Sequence, residues 1–470
     1  MSATADLVPP LPGSGRALGG GTILVEGGFP LRGTVAAGGA KNAALPILAA
    51  CLLTDEPCTI RNVPNIEDIY TMLAVLRALG AQVDHQPATQ TITVQARHLV
   101  ADEVPHELGT RMRASFLAVG PLLVRLGRAV APHPGGCDIG MRPVNVDVRG
   151  FQAMGARVVQ EPDPAAGENG RGPERRVRYA IAAAQLRGTR LYLDYPSHTG
   201  TENLLLAACC AEGTTVIRHG SMEPEVGDLA NFLRAMGACI KGIGTSTLVV
   251  EGVPKLHGAD YRLIPDRLAA GTFLIAGVIS GGEVRVVDAV PEHLEPVTYK
   301  LAEAGARVDE GPDWVSAGSH WPLEGVDVQA IHYPGFPTDL QAAFAALLTQ
   351  AHGRSVIHER VFENRLEYAA DLRNMGANIE VDASGQRATI VGRTPLTGDP
   401  FTRARDIRSG AAVVLAALAA RGKSVIIHAY HLDRGYEDLV GTLASLGARI
   451  RRLNSAEAAE ELLRAPEWPS

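Results

Sequence analysis

The stretch HPGGCDIG, residues 133 to 140, sets Cys137 after two glycines and before an aspartate, with Pro134 just upstream. Prolines and glycines in this density make a turn or loop, so the thiol sits where it can move. A free thiol has a pKa of about 8.5, and nearby positive charge lowers it. Arg142 follows five residues later. A cysteine in such a loop can swing, donate a proton or attack; the alternative is an incidental surface thiol. The other five cysteines, Cys51, Cys58, Cys209, Cys210 and Cys239, lie in or beside apolar runs and form no CxxC pair. They read as buried, reduced thiols.

Four more stretches carry groups that could do chemistry. In AAGGAKNAALPI (36–47), glycines lead into a helical pattern with Lys41 and Asn42 in its first turn. Free N–H groups at a helix start attract anions, and a lysine adds a point charge. It is not a Walker A loop, because the glycine spacing differs and no Ser or Thr follows Lys41. An ordinary helix start with an exposed lysine is the alternative. In RMRASFLAVGPLL (111–123), Arg113 opens a buried helix, as a binding group or as a solvated end. In GFPTDLQAAF (335–344), Asp339 begins another, and an aspartate there is more often a cap than a base. Arg365, Arg408 and Arg434 stand at element ends in VFENRLEY, RDIRSGAA and HLDRGYED. Arginine grips carboxylate and phosphate with a planar fork of donors. Singly these are surface charges; converging with Lys41 on one cleft, they would hold a small polyanion.

What must position them is a repeat. Six segments share one pattern: LRALGAQV, FQAMGARV, LRAMGACI, LAEAGARV, LRNMGANI and LASLGARI. Their glycines, Gly80, Gly155, Gly237, Gly305, Gly376 and Gly447, are 75, 82, 68, 71 and 71 residues apart. Each reads as a helix end, a glycine just past it and a strand start. Between them recur helices that are apolar nearly all round, such as NLLLAACC and GAAVVLAALAA, which must be buried. Six such units suit two α/β domains of three units, with helices inside and sheets outside. The Pro/Gly-rich, charged run 161–176 reads as an exposed hairpin insertion, and the tail from Asn454 as a short surface helix capped through Glu457.

Composition sets the outer limits. Length alone, 470 residues, would suit roughly three domains. A net charge of −7 argues against a broad footprint for nucleic acid or an acidic membrane, though not against a small anion held by local arginines. No apolar run reaches the length of a bilayer span. Residues 1–19 lack a basic start and an apolar core, so they read as a flexible leader rather than a secretory signal, and the protein as cytoplasmic.

Taken in order, GGAKNAALPI, MRAS, PGGC-IG-RPV, EPE (223–225), PDR (265–267), FPTD-Q, VFENR and DRGYE resemble the UDP-N-acetylglucosamine 1-carboxyvinyltransferases, from about Gly20 to Arg452. That resemblance implies two inside-out α/β barrel domains with the active site between them. One lobe would be residues 41–264, carrying the Cys137 loop; the other would be 20–40 plus 265–470. It implies transfer of the enolpyruvyl group of phosphoenolpyruvate to the 3-hydroxyl of UDP-N-acetylglucosamine, by addition and elimination, with release of phosphate, as the first committed step of peptidoglycan synthesis. Cys137 would match the proton donor and Asp339 the group beside the sugar hydroxyl. Lys41, Arg142 and Arg434 would match the anion-binding positions, with Arg365 and Arg408 nearby. Nucleotide-sugar contacts would fall on Asn42, Arg113, Arg142, Pro143, Val144, Asn145, Val146, Tyr195, Pro196, Ser197, His198, Asp339 and Val361. The chemistry implies no metal and no organic cofactor.

The chain departs from the family pattern at Asn145, Asp147, His198, Thr199 and Ala269. A carboxylate at 147 near a diphosphate needs a cation beside it, and His198 is a candidate. These changes keep two other readings open: an enolpyruvyl transferase for a different uridine nucleotide, and a non-catalytic paralogue that binds UDP-sugar.

Overall fold

The structure is a computed structural model that describes residues 21–136, 143–166, 177–319 and 322–463. The leader, Cys137, Arg142 and the 167–176 part of the insertion lie outside the described residues.

All six repeat glycines adopt positive φ, between 91° and 105°, where a side chain would be strained. Each ends a helix and turns the chain into the next strand, as their spacing predicts. Among the described residues the strands form six sheets, five of four strands and one of three. Their burial alternates, as in Glu283–Val287, where Val284 and Val286 point inward and Glu283 and Arg285 outward. The inner faces cover helices that are buried on nearly every side: Thr338–Leu348 in one, Ile407–Ala419 in another. Such helices draw their stability from packing more than from propensity.

These helices and sheets make two large hydrophobic cores. One is built from residues between Ile23 and Ala37 and between Leu268 and Ile450. The other is built from residues between Ala40 and Leu263. Strand exchange closes each. Thr22–Glu26 lies antiparallel between Lys423–Ile427 and Arg449–Leu453, so the first strand completes the last sheet. Arg32–Ala36 runs parallel to Glu283–Val287, and Asp260–Arg262 parallel to Cys58–Arg61. The chain crosses between the cores twice, and the crossings bond to each other: Ala40 N donates to Ile264 O at 2.9 Å and Asp266 N to Gly38 O at 2.7 Å. Gly39 allows this approach, since a Cβ there would lie 1.6 Å from the Asn62 carbonyl oxygen.

Two local expectations come out differently and others hold. The helix expected from Arg113 begins as a 3-10 stretch, Arg113–Ala118, and becomes α-helical only over Val119–Leu126. Ser115 lies in that stretch and bonds backward to the Gly109 and Met112 carbonyls, a local alternative to the helical pattern. Cys51, Cys58 and Cys209 are buried as expected, but Cys210 and Cys239 are only half-buried. Strands Arg157–Pro162 and Val177–Ala182 pair antiparallel out to Pro162 and Val177, which gives the insertion its hairpin base. Asn454 and Glu457 cap the last helix, Ser455–Leu463, reciprocally at 2.9 Å. Among the described residues no helix is long and apolar enough to cross a membrane.

Candidate active site

A cavity of about 460 Å³ opens between the two cores. Five buried helices begin at its wall, each through first-turn residues: Lys41 and Asn42, His198 and Thr199, Arg267 and Leu268, Thr338 and Asp339, Ile407 and Arg408. The positive dipole end of each helix faces the same space, a field suited to anions, while Ser197, Asp266 and Asp406 take first-turn N–H groups at four of the five. The inside-out architecture is what allows it, because buried helices can end only at the surface of their core.

Asp339 does not cap its helix; Pro337 holds the cap position and no side chain bonds there. Its carboxylate reaches out instead. Arg365 Nη2 donates to Oδ1 at 2.5 Å, and Arg408 donates to Oδ2 through Nη2 at 2.8 Å and Nε at 3.0 Å. Both guanidiniums are almost buried, at 4% and 6% exposure, whereas Asp339 is a quarter exposed to the cavity. Burial by itself would raise the Asp339 carboxyl; Arg408, Arg365 and Lys41 outweigh it and hold the group well below the usual carboxylate range.

A second cluster joins the cores. Asp68, in the helix Glu67–Ala78, accepts from Lys41 Nζ at 3.2 Å and from Arg434 Nε at 2.9 Å. Arg434 comes from the far end of the chain and meets Lys41 through this carboxylate. Burial opposes the Asp68 charge, and Arg434 and Lys41 more than compensate, so its carboxyl is also lowered. The Lys41 backbone N–H is taken by Asp266 at 3.3 Å.

The opposite wall carries Arg113, Pro143, Tyr195, Ser197 and His198. Arg113 Nη2 donates to Pro143 O at 2.8 Å, and Tyr195 lies 3.5 Å from Asn145 Oδ1. His198 is not the partner of Asp147. It lies one helical turn from Glu202 and bonds to it, Nε2 to Oε1, at 2.9 Å. Asp147 is buried, accepts from Asn203 Nδ2 at 2.9 Å and faces Arg113. Beyond Glu202, Arg267 bonds Glu225 at 3.0 Å and also Glu223.

Of the residues singled out in the sequence, Lys41, Asn42, Arg113, Pro143, Tyr195, Ser197, His198, Asp339, Val361, Arg365 and Arg408 line the cavity. Val144 and Val146 instead bury their side chains in the core of residues 40–263. Asn145 and Pro196 flank the wall, and Arg434 reaches the site through Asp68. The catalytic reading of Cys137 and the contacts expected from Arg142 fall outside the described residues. Sequence reasoning missed Asp68, which looks like any acidic residue at a helix start. It also missed the pairing of Glu202 with His198, whose four-residue spacing was a readable signal.

The model of the EPSP synthase (3-phosphoshikimate 1-carboxyvinyltransferase) family matches residues 25–443. The UDP-N-acetylglucosamine 1-carboxyvinyltransferase of Gloeobacter violaceus is 44% identical over 443 residues, which cover 93% of this chain and 92% of that one. UDP-N-acetylglucosamine 1-carboxyvinyltransferase 1 of Staphylococcus aureus is 43% identical over 433 residues, 92% of this chain and 99% of that one. Among solved structures, the enolpyruvyl transferase NikO from Streptomyces tendae superposes with a TM-score of 0.80 at 29% identity, covering 92% of this chain and 98% of that one. EPSP synthase from Acinetobacter baumannii shares the fold, with a TM-score of 0.68 at 19% identity over 92% of this chain and 99% of that one.

Proposed function

This chain belongs to the UDP-N-acetylglucosamine 1-carboxyvinyltransferases of the EPSP synthase family, and from that premise we propose how its cavity works. The enzyme moves the enolpyruvyl group of phosphoenolpyruvate onto the 3-hydroxyl of UDP-N-acetylglucosamine and releases phosphate, which opens peptidoglycan synthesis. The two cores correspond to two lobes, 20–40 plus 265–470 and 41–264, with both substrates bound between them.

The observation that carries this reading is the clamped carboxylate of Asp339, held by two nearly buried guanidiniums in an otherwise anion-seeking cavity. Phosphoenolpyruvate has a carboxylate and a phosphate. Lys41 and Arg434, already gathered around one carboxylate, suit the phosphate together with Arg142. Arg365 and Arg408 suit the substrate carboxylate, for which the Asp339 carboxylate is a chemical stand-in. When the substrate takes those guanidiniums, Asp339 loses part of the charge that depresses its proton affinity. It then becomes a better acceptor for the proton of the sugar hydroxyl. Cys137 supplies a proton to the vinyl carbon as the hydroxyl adds to its neighbour. The fixed cations stabilise the tetrahedral intermediate, and loss of a methyl proton together with phosphate restores the double bond and completes the transfer.

The test is phosphate release from phosphoenolpyruvate with UDP-N-acetylglucosamine, UMP, shikimate 3-phosphate or no acceptor. Release only with UDP-N-acetylglucosamine is expected, reduced by about 100-fold or more in Cys137→Ala. Release with another acceptor would keep the chemistry and move the pathway. Folded protein that binds the nucleotide sugar but turns nothing over would make it a binding paralogue.

A further inference from the structure

The cations around Asp339 and Asp68 account for the smaller substrate, which leaves the diphosphate of the acceptor to be matched on the opposite wall. We propose that His198 is a specificity-determining cation for that diphosphate, kept charged and oriented by the buried carboxylate of Glu202. The inference rests on the acceptor reading above.

His198 is the first residue of the helix His198–Ala208, behind the cap Ser197. Its side chain is 28% exposed and lines the cavity. Nε2 bonds to Glu202, which is 1% exposed, and Nδ1 has no partner among the described residues. A ring anchored through one nitrogen with the other unclaimed is oriented to donate a second bond.

The surroundings favour a charged ring, while burial also raises the carboxyl of its partner Glu202. Behind it stand Glu202 on its own helix and Glu223 and Glu225 at the start of the helix Pro224–Ala235, against the one guanidinium of Arg267. With a neutral imidazole, three carboxylates would face one cation just under a wall that must accept a diphosphate. Burial works against the imidazolium, but Glu202, then Glu223 and Glu225, more than offset it and hold its pKa up at about 9. The other titratable neighbour across the cavity, His332, feels both His198 and His219 and is pushed down by burial, so it does not supply the charge. Arg113, on the same wall, is engaged with Pro143 and faces Asp147.

The experiment is steady-state kinetics of the full chain with both substrates, from pH 7 to 10. It compares the parent with His198→Gln, His198→Lys and Glu202→Gln, each checked by thermal melting. In His198→Gln, KM for UDP-N-acetylglucosamine should rise about tenfold or more, the size of a lost charge-assisted bond, with kcat and KM for phosphoenolpyruvate within about twofold. In the parent, KM for the nucleotide sugar should rise above about pH 9. That break should vanish in His198→Gln, move upward in His198→Lys with affinity restored, and move downward in Glu202→Gln. An unchanged KM for the nucleotide sugar in a folded His198→Gln, or an equal rise in KM for phosphoenolpyruvate, would overturn the role of His198. So would the absence of the break in the parent, which needs no variant. Parent protein that turns over only with an acceptor other than UDP-N-acetylglucosamine would instead overturn the acceptor reading itself.

Discussion

Two buried charge clusters border the same cavity and are balanced in opposite ways. Around Asp339, one carboxylate faces two guanidiniums; around Arg267, three carboxylates face one guanidinium and the His198 imidazole. Both are built on first turns of buried helices, so the backbone field is similar. The side-chain sums differ, and they give the clusters different work. An excess of buried cations waits for an anion from outside. An excess of carboxylates holds cations charged and in place, and His198 at its edge presents one of them to the cavity. Arg267 is held from the other core by Glu225 and Glu223, so this second cluster also ties the cores together.

The largest break in this comparison should come from Asp339→Asn. The amide keeps the shape and some of the hydrogen bonds but cannot accept the proton of the sugar hydroxyl. Expected is a fall in kcat of about 100- to 10,000-fold, read by phosphate release, with a lowered thermal midpoint because two nearly buried guanidiniums lose their counter-charge. A variant that stays within tenfold of the parent would remove Asp339 from the chemistry.

Glu225→Ala should do the reverse and act first on stability. It leaves a guanidinium that is 7% exposed short of its principal partner. Breaking such a buried pair costs about 3–5 kcal/mol, visible as a drop in the midpoint of thermal or denaturant unfolding. An unchanged midpoint would mean that Glu223 alone suffices and that the pair does not tie the cores.

A smaller effect concerns the sign of pH dependence. Asp228, on the same helix as Glu225, accepts from Tyr261 at 2.6 Å and from the Ile264 N–H at 3.2 Å, beside the second crossing. Burial raises its pKa to about 6, and these hydrogen bonds and Glu225 adjust the balance. A carboxyl raised in the folded state binds its proton more tightly there than in the unfolded chain. Its contribution is therefore fully present below about pH 4 and lost as pH rises to about 6. Asp339 has the opposite sign: its contribution is present above about pH 4 and lost as pH falls further. Denaturant melts between pH 4 and 7 should show a component of up to about 3 kcal/mol that declines with pH and disappears in Asp228→Asn. A slope that survives the substitution would assign it to other groups.

Much of the architecture was legible because it is written in short-range pattern. The glycines at 80, 155, 237, 305, 376 and 447 mark helix ends by a backbone requirement that only local sequence decides. The apolar helices announce their burial because every face is apolar. Lys41, Arg113, Asp339 and Arg408 were legible as polar residues at the mouths of such helices, which must surface somewhere. The two valines after Pro143 were read as contacts although their side chains pack inward, because the motif shows which segment borders the site and not which way each residue faces.

By itself, then, the sequence determined the six repeats, the buried helices, the hairpin base of the insertion and the family to which the chain belongs. Only the tertiary structure decided which charge meets which. Asp339 turned from its helix cap to Arg408, 69 residues away, and Asp68 bonded Arg434, 366 residues from it, as well as Lys41. His198 found Glu202 in its own helix rather than Asp147. The physical reason is range. Periodicity, caps and turns are settled by neighbours along the chain. The partner of a buried charge is settled by which helix ends the folded cores bring to one cavity, and by the cost of leaving any of those charges unpaired.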